Sequence, residues 1–283
     1  MAGGDLGRIT VHGVDLDLAG ECPCQSGRNL HECCLVANSV FKQPARISVK
    51  NQPLAIQNPR CYARSTYGCS KSITREHYLT RALMEYLEEH GQGTFRGFSF
   101  LKEGKGIPGN QVVAKVLCDA HNPALSPLDA EILRLFKAIH IPRPGLTLFN
   151  GQDIERWMVK AALGMTAAGV ARKGGTPSHS DPNSPWVKYL FTNGARPNSR
   201  VGLFLGRGQA EHPLLKVAPL EDGMEIIGFE SVITGVPLLF AGVPPNPDYG
   251  LFVGAIRHPT HIRLSTGETI AFSWPEHEPT RPA

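Results

Sequence analysis

The sequence predicts an α+β protein, and three observations predict it. Six of the seven cysteines in 283 residues fall between positions 22 and 69. Apolar residues recur at helical spacing in the middle of the chain, at Tyr78, Leu79, Ala82, Leu83, Tyr86 and Leu87 and again at Leu128, Ile132, Leu135 and Phe136. From Arg200 onward the pattern changes to short alternating apolar runs separated by Gly, Pro and Asn, the signature of an antiparallel sheet. An apolar fraction of 41% supplies a core, and 30 Gly and 23 Pro with only 19% charged residues argue against a helical bundle or a disordered tail.

A net charge of +4 permits contact with nucleic acid without demanding it, because a dedicated DNA-binding domain concentrates more Lys and Arg. The longest apolar stretches, around Val236 to Val243 and Ala161 to Ala171, fall short of the ~18 residues a bilayer span needs. The first ten residues, MAGGDLGRIT, lack the basic and apolar regions of a signal peptide. A cytoplasmic protein without membrane contact is therefore expected. Thiols stay reduced there, so clustered cysteines indicate metal rather than disulfides.

The N-terminal cluster reads Cys22-Pro-Cys24-Gln-Ser-Gly-Arg-Asn-Leu-His-Glu-Cys33-Cys34. Two thiols one residue apart can grip one ion from a tight turn. Ser26-Gly27 then lets the chain reverse, and a short helix from Asn29 returns the second pair. Four thiolates around zinc close a tetrahedron with no open position, so this site is structural rather than catalytic. His31, inside the return helix, is read as facing solvent. These thirteen residues resemble the SEC-C motif, including Pro23, Ser26 and Gly27. That resemblance implies a small zinc knob that touches a protein partner or nucleic acid.

The second informative stretch contains Cys61, Cys69, Glu76 and His77, then Cys118-Asp-Ala-His121-Asn122 after a long gap. Between them the spacing predicts one helix with Thr74 as N-cap, ended by Gly91. A loop over 91–111 and a strand from Val112 to Leu117 follow, with a further helix from about Pro127 to Ile139. This order is similar to that of the HNH, or ββα-metal, nucleases. The resemblance implies a treble-clef zinc site of Cys61, Cys69, Cys118 and His121. It also implies catalytic positions at Glu76, His77 and Asn122, with His77 as general base for a water attacking phosphorus and Mg²⁺ or Mn²⁺ beside it. The chain departs from the family pattern in carrying Val113 where an Asn is usual, and in the seven residues separating Cys61 from Cys69.

Gly151 to Leu163 reads as a helix burying Ile154, Trp157, Met158 and Ala161, with Glu155 and Arg156 solvated. His179 and Asp181 sit in a Gly/Pro/Ser-rich loop. Strands are expected at Val201–Leu205, Met224–Phe229, Val236–Phe240, Leu251–Ile256, Ile262–Leu264 and Thr269–Trp274. Arg257, His258, His261 and Arg263 make a basic edge.

The expected organisation is a strand and SEC-C zinc module over 1–36, an HNH-like zinc domain over 37–145 and an α+β domain over 146–283. The expected function is metal-assisted cleavage or binding of nucleic acid, with DNA and a protein partner as candidate ligands. The competing reading is a non-catalytic adaptor in which both zinc sites are structural.

Overall fold

A computed structural model describes residues 7–49, 57–92, 94–96, 106–169, 183–192, 196–197, 202–206, 215–222, 225–241 and 255–275. The chain opens with a hairpin, β1 (Arg8–Val11) against β2 (Val14–Asp17). It turns at His12-Gly13, both with positive φ (50° and 81°), as a two-residue hairpin requires. Helix α1 (Leu30–Cys33) follows, where the Asn29 side chain accepts from the Glu32 N–H at 2.9 Å. A second small hairpin pairs β3 (Leu35–Val36) with β4 (Ser39–Val40).

The central region runs β5 (Ile73–His77), α2 (Arg81–Glu89), β6 (Thr94–Arg96), β7 (Gly106–Pro108), β8 (Val113–Cys118), α3 (His121–Ala124) and α4 (Ser126–His140). The helix expected from Thr74 begins seven residues later, because Ile73 to His77 are extended and pair antiparallel with β8. Ile73 and Thr74 are β-branched, and the Thr74 hydroxyl donates to the Leu117 carbonyl instead of capping a helix. Tyr78 and Leu79 satisfy the helical period only by coincidence and are buried in the turn before α2. The stretch read as a loop over 91–111 carries the β6–β7 pair.

After β9 (Leu146–Asn150) comes α5 (Gly151–Ala168), then α6 (Pro185–Phe191). Residues 179 and 181 lie outside the described set. The remaining strands are β10 (Gly202–Leu205), β11 (Leu215–Asp222), β12 (Glu225–Ile233), β13 (Val236–Ala241), β14 (Ile256–Arg257), β15 (His261–Arg263) and β16 (Thr269–Ser273). Five of them form an antiparallel sheet in the order β11-β12-β13-β10-β14. The expected runs missed β11, whose apolar alternation is broken by Lys216, Pro219, Glu221 and Asp222; its edge position tolerates the proline. A separate three-stranded sheet, β15-β16-β9, places β9 parallel to β16. The fold class is α+β, and among the described residues no helix is long and apolar enough to cross a membrane.

One apolar core spans the chain on both sides of residue 145, joining Leu117, Ile132 and Phe136 to Ile154, Trp157, Leu203 and Ile270. Its axis is α5, which is buried on every face along most of its length. The Asn150 side chain caps it by accepting from the Gln152 and Asp153 N–H groups, and Gly169 ends it at φ 70°. Its polar residues are not the solvated face that the sequence suggested. Glu155 and Arg156 are 0% exposed. Glu155 accepts from the Tyr189 hydroxyl and Arg196 Nε, both at 2.6 Å, while Arg156 donates to the Leu190 and Ala45 carbonyls. Buried polar groups persist only when paired in this way.

The start of α5 lies against the last buried aromatic. A Cβ on Gly151 would stand 2.3 Å from Trp274 Cζ2. Trp274 cannot retreat, because its Nε1 donates to the Pro259 carbonyl and its ring stacks on His258 at 4.2 Å. Gly→Ala in an unobstructed helix interior stabilises by up to about 1 kcal/mol. Gly151→Ala is instead expected to destabilise by about 2–3 kcal/mol through overpacking, read as a lower urea midpoint at unchanged slope.

Candidate metal centres and the His77 pocket

All seven cysteines and one histidine fall into two clusters, Cys22/Cys24/Cys33/Cys34 and Cys61/Cys69/Cys118/His121. Within each, the four ligand atoms lie within 4.8 Å of one another. Zinc with four sulfur ligands at about 2.3 Å requires sulfurs about 3.8 Å apart. The Cys24–Cys33 and Cys33–Cys34 separations are 3.4 and 3.7 Å. In the second cluster His121 Nδ1 stands 3.5 Å from Cys61 Sγ and 3.1 Å from Cys118 Sγ. Both donor sets fit a zinc ion in size and in chemistry.

The first cluster is held by a loop that doubles back through Gln25 and Gly27, with φ of 59° and 75°. The Cys22 N–H donates to the Arg28 carbonyl, and Ser26 Oγ and Arg28 Nη2 lie 3.1 and 3.3 Å from Cys33 Sγ. The knob is not free of the rest of the chain. Cys22, Cys24, Leu30 and Cys34 pack with Leu148 of β9 and Ala271 of β16, and the Leu148 N–H donates to the Pro23 carbonyl at 3.0 Å. His31 is exposed, in keeping with its assignment to solvent.

The second cluster joins three separate pieces of chain. Cys61 and Cys69 bracket a turn, Cys118 ends β8, and His121 opens α3. Thr66, which the sequence reading did not single out, fixes the tautomer of His121. Its hydroxyl proton goes to the Ala63 carbonyl at 2.8 Å, so its oxygen accepts from His121 Nε2–H at 2.7 Å. The Tyr67 carbonyl accepts from the same nitrogen at 3.2 Å. Nδ1 is then left with a lone pair aimed at the cysteines, the outer hydrogen bonding that orients a metal-binding imidazole.

Packed thiols without a cation compete for negative charge. Hydrogen bonding from Cys61 holds Cys118 as a thiolate, pushed down to about 2, assisted by His121 and by the Ser70 and His121 N–H groups. Its partner Cys61 is driven far up by that same bond and by burial. In the first cluster Cys22 is pushed up to about 12 by its bond to Cys24, which is driven down in return. A dication removes this competition, since every thiolate can then ionise against it.

The three candidate catalytic residues do not share one environment. Glu76 is 3% exposed and points inward, where Lys160 Nζ of α5 stands in an ion pair 2.8 Å from its Oε1. The same ammonium reaches Asp129 of α4 at 2.6 Å. His77, the next residue on the strand, is half-buried at a pocket that it lines with Arg81, Met84, Glu85 and Glu88. Burial and the nearby Arg81 and Lys160 charges hold its pKa below the ordinary histidine value, which keeps the imidazole neutral at pH 7. Asn122 donates to Thr74 Oγ1 at 2.9 Å and to the Arg75 carbonyl at 3.3 Å. That anchors α3 to β5 three residues from His77, about 10 Å along an extended strand. Opposite His77 the ladder presents Val113.

The nuclease resemblance sets Glu76 and Asn122 beside a divalent cation at His77. Neither fits as the residues stand: Lys160 occupies the place between Glu76 and Asp129, and the Asn122 amide is committed to Thr74 and Arg75. Arg81 and Lys160 are the charged neighbours of Glu76 and His77 that sequence reading did not single out. Arg81 carried a signal, four residues after His77 on the same amphipathic segment; Lys160 carried none, being more than eighty residues away.

The chain matches no known family model, no curated protein and no solved structure.

Proposed function

We propose that the chain is a zinc-stapled protein of the HNH-like ββα type, whose His77 pocket receives a phosphodiester of nucleic acid. One observation carries this reading. A two-cysteine turn, an antiparallel strand pair and a helix surround Cys61, Cys69, Cys118 and His121, and His77 ends the first strand of that pair at a pocket. In such a frame the zinc ions are structural. His77, held neutral, is in the protonation state a general base needs, and Arg81, paired with Glu85 at 2.8 Å, borders the same pocket. The first zinc cluster is then a SEC-C-type module docked on the chain's own sheet. DNA is the expected substrate.

A second reading, the non-catalytic zinc-stabilised adaptor, is favoured by the Lys160 ammonium between Glu76 and Asp129. A lysine there does the electrostatic work of a cation without its Lewis acidity, and binding would persist without cleavage.

Plasmid nicking separates the two. With zinc-loaded protein and added Mg²⁺ or Mn²⁺, the hydrolase reading expects nicked product, and His77→Ala is expected to slow nicking by about 10²–10⁴-fold at unchanged zinc content. Equal nicking by the variant removes His77 from the mechanism. Absence of nicking alongside retained zinc selects the adaptor.

A further inference from the structure

A basic concavity lies away from His77, where the C-terminal ends of α2 and α4 meet the first zinc loop. It is a cavity of about 400 Å³ lined by Gln25, Tyr86, His90, Arg134, Lys137, Ala138, Ile141, Arg143 and Thr147. Three of these side chains are cations and none is a carboxylate. We propose that this pocket binds a phosphate group, carried by a ligand of nucleotide size or by a nucleic-acid strand, and that the first zinc loop exists in part to build its wall.

The charge balance supports an anion. Arg134 is fixed by Glu131, to which it donates at 2.9 Å, by the Leu148 carbonyl at 2.7 Å and by lying 3.8 Å over the Phe149 ring. Glu131 is shared, because Lys42 pairs with it as well. One carboxylate thus serves two cations, and Lys137 and Arg143 add two more, both exposed. The two helix C-termini, at His90 and Ile141, take up about half a charge each. Four cations against Glu131 and the two helix ends leave a surplus of about two positive charges. Glu89, which helps raise the Tyr86 phenol, is not part of the lining.

The uncharged lining is held in place too. The Tyr86 hydroxyl is hydrogen-bonded to His140 Nδ1 at 2.9 Å, its ring stacks on His90 at 4.1 Å, and Lys137 Nζ lies 5.1 Å above it. Gln25 projects from the left-handed turn between Cys24 and Ser26, so its position depends on the first metal centre. Thr147 adds a hydroxyl from β9. A fixed arginine beside two surface cations, an aromatic stack and two neutral hydrogen-bonding groups are what a phosphorylated ligand uses, and the volume falls in the range of small-molecule sites. This inference does not depend on hydrolysis at His77.

The test is binding by the zinc-loaded full chain. Inorganic phosphate, a nucleoside monophosphate and a short fluorescent oligonucleotide are titrated at low salt, with inorganic sulfate as competitor. Saturable binding of the first two assigns the site to a free phosphorylated ligand; binding of the strand alone assigns it to a nucleic-acid backbone, and either result supports the proposal. The surface pair Lys137→Glu and Arg143→Glu is expected to weaken binding by about a hundredfold, roughly tenfold per charge-assisted contact. Gln25→Ala is expected to cost a few-fold. Absence of binding by all three probes, or binding that the charge-reversed protein retains at full zinc content, overturns the proposal.

Discussion

Cys118→Ser is expected to remove one zinc ion per chain and to unfold the centre of the molecule. Cys118 is where β8 hands over to α3, and its sulfur accepts from the Ser70 and His121 N–H groups as well as facing the other three ligands. Without the metal, Cys61, Cys69 and His121 are a buried polar cluster with nothing to bind, and each unsatisfied group costs about 1–3 kcal/mol. Structural zinc contributes on the order of 10 kcal/mol to small zinc modules, comparable to the 5–15 kcal/mol that holds a whole domain together. Loss of the ion therefore releases the Cys61–Cys69 turn, the β5–β8 pair and the anchoring of Asn122 on Thr74. Cys22→Ser should also lose one zinc, but its damage stays near the knob, which packs on the β9–β16 sheet through a small apolar cluster. Metal analysis and thermal unfolding check both: about two zinc ions per chain in the parent and one in each variant, with the main unfolding transition lost only in Cys118→Ser. A Cys118→Ser protein with full zinc and a native transition would exclude the second centre.

Local chemistry made the metal centres legible. Cys22, Cys24, Cys33 and Cys34 lie within thirteen residues, so spacing alone implied their convergence, and the Asn29 cap and Gly27 turn were readable as well. The second centre needed a long-range pairing of Cys61 and Cys69 with Cys118, which no periodicity encodes; there the order of elements supplied the expectation. The helical reading from Thr74 failed because Tyr78 and Leu79 satisfy the 3.6-residue period although they belong to a turn, while ladder bonds to β8 decide the state of Ile73 to His77. Glu155 and Arg156 were misjudged, and Lys160 was not singled out, for a related reason. A charged residue on a helix is usually at the surface, and only the surrounding elements, α4, α6 and β5, show that these three are buried and paired. The same blindness hid the basic cavity of about 400 Å³, whose walls come from the first cysteine loop, α2, α4 and β9.

Lys160→Met is expected to cost about 3–5 kcal/mol, the penalty for leaving buried charge unpaired, although methionine keeps an unbranched apolar chain of nearly lysine's length. The ammonium is 1% exposed and serves both Glu76 and Asp129, which hold it protonated against burial. Burial outweighs Lys160 at Glu76, so the carboxyl is raised from 4.5 to about 7. Its folded pKa thus lies above its unfolded one. The stability this group adds is fully present below pH 4.5, where both states hold the proton, and is lost as pH rises through 7. The loss amounts to roughly 3 kcal/mol. Glu76→Gln keeps the shape and the acceptor for Lys160 but cannot ionise. It is expected to flatten the dependence between pH 5 and 8 and to be the more stable protein at pH 8. Lys160→Met should do the reverse, since without the ammonium Glu76 is harder still to ionise and the decline with pH steepens. Urea midpoints at pH 5.5 and 8 for the parent and both variants test this, and equal slopes in all three would sink it. The same pair bears on function. If Glu76 acts only through the fold, Glu76→Gln leaves any nicking activity in place. A Glu76→Gln protein that is stable, fully zinc-loaded and inactive would show instead that Lys160 gives way to a catalytic cation during turnover.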